Sequence, residues 1–241
     1  MQTNHRPAAP RAVLLVGADG RMGRQVIRAL ERAADLELVG TVVRGESLAA
    51  KVAETKPQIA VDFALAEGLA DRVDLLLRNG VHPVVGTTGL AANDRDRLVG
   101  LARELRVGGV LASNFSIGAV LMVELAGRLA RHFDAAEVVE THHPGKKDAP
   151  SGTALITRDR IAAAWAEVGL AATAKHPVPV HSVRLDGFLA RQEVHFGAPG
   201  ERVTVAHEAI DRECYMPGVL LACRRVHALE ELVIGLDSLL S

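Results

Sequence analysis

The stretch AVLLVGADGRMG, residues 12–23, decides the fold class. Its first five residues are a continuous apolar run, the pattern of a strand buried on both faces of a parallel sheet. Glycines follow at 17, 20 and 23, and a helical pattern runs over 22–34. Glycines at such a turn permit positive φ and close backbone approach, while the N–H groups and positive end of the helix attract phosphate. Gly17, Ala18, Asp19, Gly20, Arg21, Met22 and Gly23 are therefore predicted to hold the pyrophosphate of a dinucleotide. The spacing Gly-x-x-Gly-x-x-Gly is a variant of the usual fingerprint with alanine in place of its first glycine.

Working outward, the alternation continues. Strands are predicted over 36–43, 59–63, 84–86 and 108–113, and helices over 47–55, 67–79 and 91–106, with Gly80 closing the second of these. Five short strands separated by helices predict an α/β, Rossmann-like, doubly wound parallel sheet over 1–114. The rhythm then changes. A helix over 117–133, a strand at AEVVETH, a polar loop, a helix over 153–168 and three extended stretches give a smaller α+β domain, mostly antiparallel, over 115–211. The last two stretches are joined by Ala198-Pro199-Gly200 as a hairpin turn. The segment 212–241 is expected to return to the first domain as an amphipathic helix from Pro217 onward.

Composition narrows the function classes. The chain has 241 residues, 49% of them hydrophobic, and 28 basic against 29 acidic side chains, a balance that favours neither nucleic acid nor an anionic membrane as partner. Residues 1–10 lack an apolar core and read as a loose tail rather than a signal peptide. No apolar run reaches the roughly 18 residues of a transmembrane helix. Cys214 and Cys223 fit neither a redox pair nor a zinc knuckle, so both are expected as reduced thiols of a cytoplasmic protein.

The usual fingerprint places an acidic residue at the end of the second strand to bind the adenosine ribose hydroxyls. Val43 and Arg44 stand there instead. A guanidinium pairs with a 2′-phosphate, so Arg44 tilts the expected cofactor toward NADPH with NADH also possible, and Arg21 is a second candidate for that phosphate. Two later strand ends carry small polar clusters, Gly86-Thr87-Thr88 and Ala112-Ser113-Asn114-Phe115, which face the same crevice as Gly17 and are expected to line the nicotinamide side.

The polar loop HHPGKKDAPSGT, 142–153, concentrates the chemistry. Ser151, Gly152 and Thr153 open a helix, so backbone N–H groups and two hydroxyls can receive a carboxylate. Lys146 adds positive charge, and either His142 or His143 is suited to deliver a proton near neutral pH. Adjacent histidines on a strand point to opposite faces, and no thiolate or carboxylate has ligand spacing, so no metal is predicted.

The string ETHHPGKKDAPSGTA, 140–154, resembles the signature of the dihydrodipicolinate reductase family. GADGRMG, GTTG and ASNFS resemble that family's cofactor segments in the same order, and HEAIDRECYMPG, 207–218, resembles its late H-x-A-x-x-R-x-x-F-x-x-G stretch with Tyr215 in place of phenylalanine. The resemblance implies NAD(P)H-dependent reduction of dihydrodipicolinate, formed from 4-hydroxy-tetrahydrodipicolinate, to tetrahydrodipicolinate in lysine and diaminopimelate biosynthesis. It implies His142 as proton donor and acceptor, and Lys146 as a proton donor that stabilises developing charge. His143, Ser151, Gly152 and Thr153, with Arg212 from the end of the last strand, would hold the carboxylates of a small cyclic dicarboxylate. A homotetramer built on the second domain's sheet is also implied.

Three departures accompany it: Val43 where the family often has an acid, Ala64 after Phe63 where it has a hydroxyl residue, and a short stretch between Arg44 and Ile59. A dehydrogenase for another small acid, or a nucleotide-sensing module, would share the glycine turn. Neither has a reason to carry the 142–153 loop.

Overall fold

The computed structural model describes residues 9–170 and 177–240, so only the last two residues of the expected loose tail fall within it. The chain forms two compact units, Met1–Phe115 with Tyr215–Ser241, and Ser116–Cys214. These junctions stand beside the boundaries expected after 114 and 211.

In the first unit, β1 (Arg11–Val16), α1 (Arg21–Glu31), β2 (Leu36–Val42), α2 (Leu48–Thr55), β3 (Ile59–Asp62), α3 (Leu69–Arg78), β4 (His82–Val85), α4 (Ala92–Leu105) and β5 (Gly109–Leu111) alternate as the sequence pattern predicts. Val13, Leu14, Leu15, Ile59, Ala60 and Val61 are fully buried, because helices cover both faces of the sheet. One face packs Leu14, Val16 and Ala60 with Val52 and Leu76, and the other packs Val85 with Val73, Leu98 and Leu232.

The last of these residues corrects the sequence reading. The tail is not helical throughout: α7 (Met216–Arg225) is followed by β10 (Leu232–Ile234), a sixth strand parallel to β5, giving the order β10-β5-β4-β3-β1-β2. Three residues are too few to show periodicity, and β10 exists because β5 offers it an open edge. The return of α7 has a visible requirement at Gly218, where a Cβ would lie 2.0 Å from the Phe115 carbonyl oxygen. Arg224 pairs with Asp35 beyond α1 at 2.8 and 2.9 Å.

The second unit contains α5 (Ile117–Ala130), β6 (Ala136–His142), α6 (Gly152–Glu167), β7 (Val180–Arg184), β8 (Ala190–Ala198) and β9 (Glu201–Ala209), with sheet order β7-β6-β8-β9. Its pairing is mostly antiparallel, as expected, with β6 against β8 and β8 against β9, while β6 and β7 are parallel. The cause is α6, which lies between β6 and β7 and makes the crossover a parallel pair needs. The β8 to β9 turn is the expected tight hairpin, with Ala198 opposite Glu201 and Gly200 at φ +85°. Alternate residues of β8, Val194 and Phe196, bury against Ala126, Ala130, Ile161 and Trp165, so α5 and α6 cover one face of this sheet.

Candidate active site

The glycine turn of the first unit is packed too closely for side chains at Gly17 and Gly23. Gly17 has φ +84°, and a Cβ there would lie 2.8 Å from the Ala64 nitrogen. At Gly23 a Cβ would meet the Gly17 carbonyl oxygen at 2.3 Å, so α1 can start against the turn only because that residue has no side chain. Gly86 is similar, with a Cβ 2.0 Å from the Phe63 ring, whose edge packs on Phe115 with centroids 5.8 Å apart. Gly20 is the N-cap of α1 and uses no side chain for it, so the backbone N–H groups of the first turn point outward with no hydroxyl in front of them. Asp19 and Arg21 are exposed, Ala18 is buried and Met22 is half-buried.

Two features at this end of the sheet escaped the sequence reading. Asp62, fully buried at the end of β3, receives Arg72 Nε at 2.7 Å, the Ala64 N–H at 2.9 Å and the Thr87 hydroxyl at 2.9 Å. Arg72 also donates to the carbonyls of Leu65 and Glu67, both at 2.7 Å, so it pins the loop that faces Gly17. The Thr87 hydroxyl thus turns into the protein, while Thr88 and Ser113 are exposed, Asn114 is half-buried, and Ala112 and Phe115 are buried. An acid ending an apolar strand, with an arginine ten residues on, was the available signal.

The second feature lies at the end of β2. The Glu46 carboxylate accepts the Val43 N–H at 2.8 Å, returning an acidic group to the strand end from three residues further on. Arg44 is exposed beside it.

In the second unit, Glu140 and His142 are two apart on β6 and so point to one face. Glu140 is fully buried, with its carboxylate accepting from Arg184 Nη1 at 3.0 Å, Arg184 Nη2 at 2.9 Å and the Ser151 N–H at 3.2 Å. It also bonds His142 Nδ1. Burial pushes the Glu140 carboxyl up, but Arg184, Ser182 and His142 outweigh that and hold it below its ordinary value. An ionised carboxylate only accepts, so His142 Nδ1 carries the hydrogen and Nε2 is left able to exchange a proton. Burial, then the charges of Lys146 and Arg184, hold the His142 imidazole below its ordinary value against the pull of Glu140.

Beyond His142 the chain turns, with the Lys146 N–H donating to the His143 carbonyl at 3.1 Å, and the Lys146 ammonium pairs with Asp148 at 2.9 Å. Ser151 is the N-cap of α6: its hydroxyl oxygen accepts the Ala154 N–H at 3.2 Å while its own N–H serves Glu140. At the helix start Gly152 has an N–H with no intrahelical acceptor, and a Cβ there would meet nothing within 4 Å, with Thr153 next. Arg212 opens the 3-10 turn Arg212–Tyr215 after β9 and is half-buried. His207 meets the Ser116 hydroxyl, the N-cap of α5, at 3.0 Å.

Sequence reasoning placed no role on Arg184. Its partner Glu140 lies 44 residues away and becomes a neighbour only through the parallel register that sets His142 beside Arg184.

A glycine cradle at the carboxyl ends of a parallel sheet, with a second unit carrying a carboxylate-held histidine, defines a dinucleotide-dependent oxidoreductase. Residues 11–115 match the family described as "Dihydrodipicolinate reductase, N-terminus" and residues 118–240 that described as "Dihydrodipicolinate reductase, C-terminus". The chain belongs to the dihydrodipicolinate reductase family. It is 40% identical over 239 residues to a 4-hydroxy-tetrahydrodipicolinate reductase of Legionella pneumophila, covering 95% of this chain and 98% of that one. With the Streptomyces coelicolor protein of the same description it is 44% identical over 243 residues, covering 95% and 97%. Among solved structures it is similar to "Dipicolinate bound Dihydrodipicolinate reductase from Paenisporosarcina sp. TG-14", at 30% identity and a TM-score of 0.83 over 95% of this chain and 99% of that one. An amine dehydrogenase of Mycobacterium smegmatis, 14% identical with a TM-score of 0.67, shares the fold.

Proposed function

We propose that this reductase uses NAD(P)H to reduce dihydrodipicolinate, formed from 4-hydroxy-tetrahydrodipicolinate, to tetrahydrodipicolinate, in the cytoplasm and as a homotetramer joined through the second unit's sheet. The observation that carries the reading is the buried Glu140 carboxylate holding His142 by Nδ1 and the start of α6 by the Ser151 N–H. It sets a proton-exchanging nitrogen and a helix N-terminus on one support, and a cyclic dicarboxylate needs both.

The residues present fit a dinucleotide, since Gly17 and Gly23 let the turn close against the start of α1 and Gly20 caps that helix with no side chain before its first N–H groups. Gly17 to Gly23 would hold the pyrophosphate, and Gly86, Thr88 and Ala112 to Phe115 would line the nicotinamide side, with Thr87 acting through Asp62. Bound reduced nicotinamide supplies the hydride. Arg44 favours NADPH by pairing with a 2′-phosphate.

In the second unit, the Gly152 N–H, Ser151, Thr153, His143 and Arg212 receive the carboxylates. Lys146 stabilises the negative charge that builds on the conjugated ring nitrogen as the imine is reduced, and His142 exchanges the proton through Nε2. Two carboxylates arriving beside His142 raise its affinity for a proton, offsetting the effect of burial.

The test is consumption of NADPH and NADH with freshly generated substrate, comparing wild type with His142→Gln and Lys146→Ala. Each variant is expected to lose about 10²- to 10⁴-fold in kcat. Near-full kcat in both overturns the catalytic roles, and a wild type that consumes neither cofactor overturns the reaction. Sedimentation equilibrium checks the tetramer.

A further inference from the structure

A guanidinium carries five N–H groups in a rigid fork. In Arg184 all five are engaged. Nη1 donates to Glu140 Oε2 at 3.0 Å and to the Val183 carbonyl at 2.7 Å. Nη2 donates to Glu140 Oε1 at 2.9 Å and to the Asp148 carbonyl at 2.6 Å. Nε donates to the Lys146 carbonyl at 3.3 Å. One side chain on β7 therefore grips a buried carboxylate on β6 and two carbonyls of the loop that carries Lys146.

We infer that Arg184 is the positioning residue of the proton-handling site, fixing through Glu140 the orientation of the His142 ring and through the 146 and 148 carbonyls the place of the Lys146 ammonium. It rests on the proposed roles of His142 and Lys146, and Arg184 itself touches no reacting atom.

A buried ion pair alone would not call for this arrangement, because an apolar pair of similar volume often stabilises a sheet as well. What an apolar pair cannot supply is a fixed bearing for three groups at once. The Glu140 carboxylate is divided among Arg184, Ser182, the Ser151 N–H and His142 Nδ1, so any rotation of it turns the imidazole and shifts the start of α6 together. Lysine would keep the charge, but its three donors radiate from one nitrogen and cannot span the Lys146 and Asp148 carbonyls and both carboxylate oxygens.

The charged groups facing His142 are Glu140 on its own strand, Lys146 and Asp148 on the loop, and Arg184 on β7. Removing the Arg184 charge and removing the Glu140 charge therefore move the His142 titration in opposite directions.

The experiment uses the full-length protein with nitrogen-15 histidine, reading the His142 midpoint by NMR without ligand, and reads kcat and substrate KM in parallel. Arg184→Met is expected to raise the His142 midpoint and Glu140→Gln to lower it. Arg184→Lys is expected to leave the midpoint near that of wild type yet cut kcat on the order of 10- to 100-fold, since a displacement of about 1 Å at the reacting groups is sufficient for such a loss. An Arg184→Lys protein with wild-type kcat, KM and pH profile, whatever its melting temperature, overturns the inference. Unmoved His142 midpoints in Arg184→Met and Glu140→Gln overturn it equally. Should Arg184→Met fold poorly, Glu140→Gln and Arg184→Lys decide alone. The NMR arm needs no turnover, so failure of the His142 role, seen as full kcat in His142→Gln, is distinct from failure of the coupling.

Discussion

The Glu46 carboxylate accepts a hydrogen bond from the Val43 N–H at 2.8 Å, bringing an acid to the end of β2, where a dinucleotide fingerprint keeps its ribose-binding carboxylate. Arg44, one residue beyond Val43, brings the opposite charge to the same strand end.

This juxtaposition predicts opposite cofactor effects. Arg44→Ala is expected to raise the KM for NADPH more than that for NADH, because a 2′-phosphate loses its counter-charge. Glu46→Gln is expected to favour NADPH relative to wild type, since a carboxylate repels that phosphate and a neutral amide does not. Steady-state KM values for both cofactors check this; equal changes for the two in Arg44→Ala would remove the 2′-phosphate role.

Gly23→Ala places a Cβ against a backbone oxygen that cannot swing aside. A loss of roughly 1–3 kcal/mol in stability is expected, with weaker binding of both cofactors as α1 is pushed from the turn. Gly152→Ala, where a Cβ meets nothing within 4 Å, is the matched control and should keep wild-type stability. Urea denaturation of the two variants side by side separates them, and equal midpoints would refute the packing argument.

Asp62 is fully buried, and Arg72 and Thr87 both donate to it. Thr87→Val removes one donor and is expected to cost about 1–3 kcal/mol. Arg72→Met strands the carboxylate and is expected to cost roughly 3–5 kcal/mol. A double-mutant cycle with Asp62→Asn should show strong coupling to Arg72; additive effects would mean that the pair does not hold the 63–68 loop.

Stability should fall on the acid side in two stages. His142 and His207 are both held below 6.5, by burial first, so the unfolded chain takes up protons that the native one refuses as pH drops through that value. Glu140 is held below 4.5, so its contribution is present above that pH and is lost as pH falls through the lower native value. Denaturation midpoints should already decline between about pH 7.5 and about pH 5.5. A flat profile there, or one that His142→Gln and His207→Gln leave unchanged, would contradict the assignment.

Much was written in local pattern. Continuous apolar strands, glycines at 17, 20 and 23, and the 142–153 loop each act over a few residues, because a turn's φ, a strand's burial and a helix start are set by neighbours in the chain. They sufficed for the α/β class, a dinucleotide-binding domain and the family. The hairpin at Pro199-Gly200 and the helix beginning at Gly152 were legible for the same reason.

Tertiary structure alone decided what depends on partners far apart in sequence. β10 is a strand only because β5 is beside it, and β7 runs parallel to β6 only because α6 carries the chain back across. That the Thr87 hydroxyl donates to Asp62, and that the Ser151 oxygen caps α6, follows from no local spacing. Above all, Arg184 has no local mark of its role. Four of its five donors find acceptors on another strand and on a loop, and that kind of pairing is fixed by register and burial rather than by any spacing in the chain.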